Sequence, residues 1–366
     1  MRVNRMHPQR QDLRFGILGA GRIAADWASC FAYVAGGKIT AVGSRSLPKG
    51  EAFAKQHGIG KSHGSYAALV RDPDVDVIYI ATPLPLHREH VMLALEHNKA
   101  VLCEKPFATN SDDAEAMLRL AKSKNLFCME AMWTNCIPAM RQIKGLIDQG
   151  TIGQIRLVTS DFGIDMTADP GHRIFDATLG GGSIIDLGIY PLALALNLCG
   201  DVSAVRAVGT IGASGVDECA SVALLFANGA VASLTSAIVA NTPLITHIYG
   251  SQGTIEIAGP MYSPKAYTLR RTASAGLDRP LLRRLGLDSR ALKIIDKVAR
   301  RLPDRLNPLV SRYKCDFSGK GYQFEINEVI SCIRNGQTES NLVSHEATKN
   351  VYQVMDLVKQ QIFNRS

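Results

Sequence analysis

Phe15-Gly16-Ile17-Leu18-Gly19-Ala20-Gly21-Arg22-Ile23-Ala24 is a short apolar run, closed at once by a glycine-rich turn and followed by helical spacing through Val34. Strand, tight turn and helix follow in that order, with G-x-G-x-x-A at the junction. Gly19 permits the turn, and Gly21 leaves room for a pyrophosphate to approach the backbone. Ala24 is small enough for the helix to pack close on the strand, whose neighbouring helix N-terminus offers unpaired N–H groups to phosphates. The stretch therefore reads as a dinucleotide-binding turn, with Gly19, Ala20, Gly21, Arg22 and Ile23 against the nucleotide. A plain connecting turn is the bland alternative, so the rest of the chain has to agree.

Working outward, strand-like runs at 38–44, 75–82, 100–103 and 126–129 alternate with helical stretches at 50–57, 86–98 and 112–124. The runs are too continuously apolar to face water, which predicts a parallel sheet covered on both sides. The expected domain is doubly wound and spans 13–130. About 20 residues past the glycines, an NAD-preferring site carries a carboxylate for the ribose 2′-OH. Here the place reads Gly43-Ser44-Arg45-Ser46. Arg45 can pair with a 2′-phosphate and Ser44 and Ser46 can donate to it, so NADP is expected over NAD.

Ligands in open α/β sheets sit beyond the carboxyl ends of strands. Two such loops stand out: Thr82-Pro83-Leu84-Pro85-Leu86-His87 and Cys103-Glu104-Lys105-Pro106. Thr82, Pro83, His87, Glu104 and Lys105 are therefore placed at the cofactor. A lysine there can hold a substrate hydroxyl and lower the pKa of a nearby acid. His87, His90 and His97 lack a Cys or acidic cluster beside them, so they read as solvated or capping side chains. No metal site is expected.

In the second half, 137–149 has the spacing of an amphipathic helix and 155–162 alternates as a strand. Gly180-Gly181-Gly182-Ser183 then opens a strongly apolar helix carrying Asp186 and Tyr190, four apart and so on one face. An aspartate buried there is costly unless it meets a cation or a substrate hydroxyl. Strand-like runs at 202–208, 219–226, 230–239, 244–249 and 254–257 follow without long helices between them. They predict an antiparallel sheet, hence an α+β second domain over 131–366 closed by helices at 321–334 and 344–363.

Residues 264–314 hold 14 Lys or Arg against four Asp, +10 locally, while the whole chain is +8. The positive charge is thus local, and the rest of the chain does not read as a nucleic-acid binder. This stretch is expected to be a mobile, solvated insertion with a possible amphipathic helix over 288–302, able to touch an anionic membrane or a nucleic acid. Residues 1–12 read as a flexible basic extension without the apolar core of a secretory signal. No apolar run reaches the roughly 18–20 residues of a membrane span. Eight scattered cysteines without C-x-x-C spacing suit reduced core residues and a cytoplasmic setting.

Taken together, Gly19 to Ala24, Glu104-Lys105-Pro106 and the Gly-Gly-Gly-Ser-x-x-Asp-x-Gly-x-Tyr segment resemble the Gfo/Idh/MocA oxidoreductase family. The likeness covers about 13–258 and the last two helices. It implies a Rossmann domain joined to an α/β domain whose open sheet often forms a dimer. It also implies NAD(P)-dependent oxidation or reduction of sugars, polyols or cyclic diols. By position, Lys105 resembles the substrate-orienting lysine, Asp186 the acid holding substrate hydroxyls, and Tyr190 the group exchanging the hydroxyl proton, its pKa lowered by Lys105. Arg173 would orient neighbouring hydroxyls, and Trp133 would wall the nicotinamide. Tyr190, with Met129 to Thr134, is similar to the branch of dimeric dihydrodiol dehydrogenase and NADP-dependent D-xylose dehydrogenase. Asn135 stands where relatives often carry Arg, and the basic insertion is unlike compact relatives. A non-catalytic NADP-sensing protein that binds a partner through 264–314 is the alternative from another class. Against it, a sensor needs no proton-transfer set.

Overall fold

A computed structural model describes residues 12–276, 289–299 and 301–364. The backbone divides into two compact units. One lies within Met1–Ala108, Asp112–Ala131 and Ser318–His345; the other lies within Thr109–Ser111, Met132–Phe317 and Glu346–Ser366.

The first unit is built on six parallel strands: β1 (Leu13–Leu18), β2 (Gly37–Gly43), β3 (Lys61–His63), β4 (Val77–Ile80), β5 (Ala100–Glu104) and β6 (Cys128–Ala131). Their order is β3-β2-β1-β4-β5-β6, the doubly wound arrangement that the alternating pattern predicts. The three-residue β3 is too short and too polar to show in the sequence pattern, and the five-residue helix α3 (Tyr66–Val70), though apolar, is too short. The remaining helices here are α1 (Arg22–Ser29), α2 (Leu47–His57), α4 (His87–Glu96) and α5 (Ser111–Ser123). Trp27 of α1 stacks on Tyr79 of β4 at 3.9 Å and meets Phe15 and Phe31 edge-on, which gives this core its largest aromatic cluster. The helix Tyr322–Arg334, expected with the second domain, returns to this unit. Its Ile330 lies against Gly37, and the Arg334 guanidinium donates to the Gly36 carbonyl at 3.0 Å. An apolar face matched to the flank of β2 explains a return that chain order does not announce.

The second unit has helices α6 (Pro138–Asp148) and α7 (Ile189–Cys199), the helix His345–Phe363 over most of its length, and eight strands. These are β7 (Ile155–Gly163), β8 (Val202–Ile211), β9 (Asp217–Phe226), β10 (Val231–Ala237), β11 (Thr246–Gly250), β12 (Gly253–Ile257), β13 (Ala266–Arg271) and β14 (Val310–Lys314). They pair in the order β14-β13-β12-β11-β7-β10-β9-β8. The sheet is mixed rather than wholly antiparallel, because β10 runs parallel to β7 with Val231 opposite Leu157.

Strands β13 and β14 correct the reading of 264–314 as a solvated insertion. Tyr267 and Leu269 are buried between half-buried Ala266, Thr268 and Arg270, and the basic residues on either side, with β14 at the sheet edge, mask that alternation. The expected helix appears as Ser289–Ala299. Calls on 1–11, 277–288 and residue 300 lie outside the described residues.

The stretch Ala177–Cys199 is long and apolar enough to cross a membrane by length and composition, contrary to the sequence estimate. However, 78% of its most apolar window is buried inside the protein, as a core helix would be. All eight cysteines are free thiols.

Candidate active site

In the first unit, Gly19 adopts φ +109°, and a Cβ there would sit 2.9 Å from the Ala81 carbonyl oxygen. Only glycine fits, and its N–H is spent on the Gly43 carbonyl at 3.0 Å. Gly21 is the N-cap of α1. Nothing lies within 4 Å of where its Cβ would be, and no side chain caps the helix. The turn thus leaves an open cradle in front of helix N–H groups, which is the shape and polarity a pyrophosphate needs. Ala24 is fully buried against the sheet. At the end of β2, Ser44 is buried with its Oγ accepting from the Ser46 N–H at 3.3 Å, while Arg45 and Ser46 are exposed.

The histidines depart from expectation. His87 and His90 are buried, not solvated. The two ring nitrogens of His87 lie 2.8 Å from the carbonyl oxygens of Thr82 and Pro106, so the ring ties the loop after β4 to the loop after β5. Burial lowers its pKa, against the opposite pull of those carbonyls. Thr82 Oγ1 and His90 Nδ1 are 2.9 Å apart. His87 therefore braces these two loops against each other, with both ring nitrogens occupied by protein carbonyls. Pro83 continues this loop into the 3-10 turn Leu84–Leu86.

Glu104 also turns inward. Its Oε1 accepts from the Tyr79 hydroxyl at 2.5 Å and its Oε2 from the Lys105 N–H at 3.2 Å. Burial raises its pKa to about 7, against the lowering by Tyr79 and Lys105. It anchors the strand end and leaves Lys105, half-buried and preceding a cis proline, as the residue of that motif that can reach a ligand. Among the described residues, no group of three His, Cys, Asp or Glu could hold a metal ion.

In the second unit, the helix bearing Asp186 opens with a π turn, Ile184–Gly188, before α7. Such single π turns recur at functional sites because the extra residue re-aims side chains. The glycines before it answer packing demands. A Cβ on Gly181 would lie 2.4 Å from the Ile174 carbonyl oxygen, and one on Gly182 (φ +128°) would lie as close to Asp217. Asp217, which sequence reading missed, takes the Ser183 hydroxyl at 2.6 Å and the Ile184 N–H at 2.8 Å on one oxygen. Burial raises its pKa against those two donors. Asp217 caps the π turn from β9, a long-range partnership that no local motif announces.

The Arg173 guanidinium reaches both oxygens of Asp186 at 3.2 Å, which supplies the cation that a buried aspartate requires. The arginine side chain is 50% exposed and the aspartate 8%, so the pair is open on its cationic side. One turn on, the Tyr190 hydroxyl accepts from the Trp133 indole N–H at 3.2 Å. Phe162 and Tyr262, stacked at 4.9 Å, flank the Tyr190 ring. Arg173, Asp186, Tyr190 and Trp133 thus form one assembly inside this unit. Lys105 and the glycine turn belong to the first unit.

Residues 13–132 match the model described as an oxidoreductase family with an NAD-binding Rossmann fold, and 140–256 match the GFO/IDH/MocA C-terminal domain. Trans-1,2-dihydrobenzene-1,2-diol dehydrogenase of Xenopus tropicalis is 30% identical over 95% of this chain and 98% of its own. An aldose-aldose oxidoreductase of Caulobacter crescentus, crystallised with glycerol, is 25% identical, with a TM-score of 0.79, over 97% of this chain and 99% of that one. A 3-ketoreductase of Actinomadura kijaniata, crystallised with NADP and TDP-benzene, shares the fold at 22% identity and a TM-score of 0.76, over 96% and 98% of the two chains. The chain belongs to the Gfo/Idh/MocA oxidoreductase family.

Proposed function

We propose that the protein is an NADP-dependent dehydrogenase or reductase acting on a hydroxyl-bearing carbon of a sugar, polyol or cyclic diol. The observation that carries this reading is the Trp133–Tyr190 contact, with the Arg173–Asp186 pair on the same helical segment. A phenol poised for proton exchange beside a carboxylate that accepts from hydroxyls suits a substrate with neighbouring hydroxyl groups. The names of the diol dehydrogenase and aldose oxidoreductase relatives share that chemistry.

Bound at the Gly19–Gly21 turn, a nicotinamide dinucleotide supplies the carbon that exchanges hydride with the substrate. Arg45, with no carboxylate beside it at the end of β2, favours a 2′-phosphate. In reduction, Tyr190 gives its proton to the carbonyl oxygen; in oxidation, it takes the proton back. On the first unit, Lys105 is the cation that this reading assigns to a substrate oxygen. Asp186, held by Arg173, accepts from a neighbouring hydroxyl, which fixes which carbon presents its hydrogen. Trp133 walls the nicotinamide side.

The second unit also offers a row for a second copy of the chain. Leu225, Val231, Leu157 and Tyr249 are in register across β9, β10, β7 and β11, with Leu225, Val231 and Tyr249 partly exposed.

The test is a fluorescence titration with NADPH and NADH, followed by turnover on sugars and vicinal diols. NADPH should bind more tightly, and Tyr190→Phe should lower turnover about 10²–10⁴-fold with cofactor affinity retained. Unchanged turnover removes Tyr190 from proton exchange, and binding of neither nucleotide overturns the enzyme reading.

A further inference from the structure

The helix Ser289–Ala299 of the second unit has two unlike faces. One face carries Leu292, Ile295 and Ala299, which pack with Ala273 and Leu309 into a small core. The opposite face carries Ile294 and Val298, 62% and 55% exposed. Past the helix end, Leu302 and Leu306 are exposed as well, Leu306 again by 62%. Four large aliphatic side chains in one short stretch, all exposed, are more than scattered surface residues.

The charges around this row are sorted by sign. Lys293, Lys297, Arg301 and Arg305 are exposed beside it. The two acidic residues of 289–306 are both turned back into the protein. Asp296 accepts from the Ala273 N–H at 2.6 Å. Asp304 is held by Arg270 and by Arg312 at 3.0 Å, and those two arginines keep its carboxyl at about 2, hence ionised and neutralised within the fold. The outward surface is left aliphatic along its centre and cationic along its flanks.

We propose that this face docks the enzyme on an anionic bilayer surface. An aliphatic row inside a rim of Lys and Arg matches the boundary between acyl chains and anionic headgroups, where apolar side chains enter and cations stay at the phosphate level. A nucleic acid would use the cations but leave the aliphatic row without a partner, because single strands ask for aromatic platforms, and 289–306 contains no aromatic residue. An acidic protein partner is a separate outcome of the experiment.

The experiment is co-sedimentation of the full chain with vesicles of phosphatidylcholine alone or of phosphatidylcholine with phosphatidylserine, at low and high salt. The expected result is sedimentation with the anionic vesicles only, weakened by salt. Ile294→Ser/Val298→Ser and Lys293→Glu/Lys297→Glu should each weaken it about tenfold or more. These side chains are exposed and outside the catalytic assembly, so unchanged thermal unfolding and turnover certify the variants. Failure to bind anionic vesicles at low salt overturns the proposal, whether or not a DNA duplex or an acidic protein binds. Full binding by Ile294→Ser/Val298→Ser also overturns it, since a response to charge alone needs no aliphatic row.

Discussion

Asp186 and Glu325 are both carboxylates on helices that pack against a sheet, yet they stand in opposite electrostatic situations. Asp186 has a guanidinium on both oxygens, and half of that arginine's side chain is in water. Glu325, on the helix Tyr322–Arg334 of the first unit, is fully buried, with neither oxygen hydrogen-bonded. The neighbouring Trp27 indole N–H is a donor that acts on this carboxyl and lowers its pKa, without forming a bond of good geometry. Burial, reinforced by the charge of Glu104, pushes the Glu325 carboxyl well above the usual range. A buried acid beside an open cation is available to a ligand, whereas one sealed among aromatics is neutral filling with a pH-dependent cost.

Asp186→Asn tests the first half of that contrast and has the larger expected effect. The amide keeps the size and one acceptor but loses the charge that holds both Arg173 and a substrate hydroxyl. Turnover should fall about 10²-fold, because misorienting the reacting carbon costs roughly that much. Stability should move by less than about 1 kcal/mol, since Arg173 is half in water and can rehydrate. Steady-state kinetics beside a urea melt separate the two. A variant with full turnover and a large loss of stability would make Asp186 a structural ion pair, and the contrast with Glu325 would dissolve.

How much of this was legible follows from the range of each interaction. The turn from Gly19 to Ala24 and the strand order around it rest on local pattern, and the positive φ of Gly19 and the open space at Gly21 agree with that pattern. The Gly180 to Tyr190 segment announced its helix, its buried aspartate and the need for a cation. It did not announce the π turn or Asp217, which arrives from β9 across 34 residues of chain. His87 and Glu104 sit on legible loops, but their side chains face inward. Adjacency to a ligand loop in sequence says nothing of which way a side chain points. The strands β13 and β14 were hidden because the arginines around them obscure the alternation of Tyr267 and Leu269. The return of Tyr322–Arg334 to the first unit depends on a surface match with Gly37, which chain order cannot express.

Glu325→Gln tests the second half. Glu325 meets Glu104 and Cys30 electrically, and Glu104 in turn meets Tyr79, Lys105 and Glu130. The folded-state carboxyls of Glu104 and Glu325 lie above their unfolded value of 4.5, with Glu104 near 7. The folded state therefore binds more protons than the unfolded chain in this window. Stability from these groups is fully present below pH 4.5 and is lost as pH rises through about 7 and above. Glutamine removes one titration and the charge that opposes ionisation of Glu104. Unfolding followed by Trp27 fluorescence in a Trp133→Phe background reports the first unit, since the chain has two tryptophans. Between about pH 5 and pH 8 the parent should lose stability more steeply than the variant. At the alkaline end the variant should be the more stable by about 1–3 kcal/mol, the range found when an uncompensated buried charge is replaced by a neutral group. Parallel slopes would mean that Glu325 finds a cation or water in solution, and the two carboxylates would then differ only in depth.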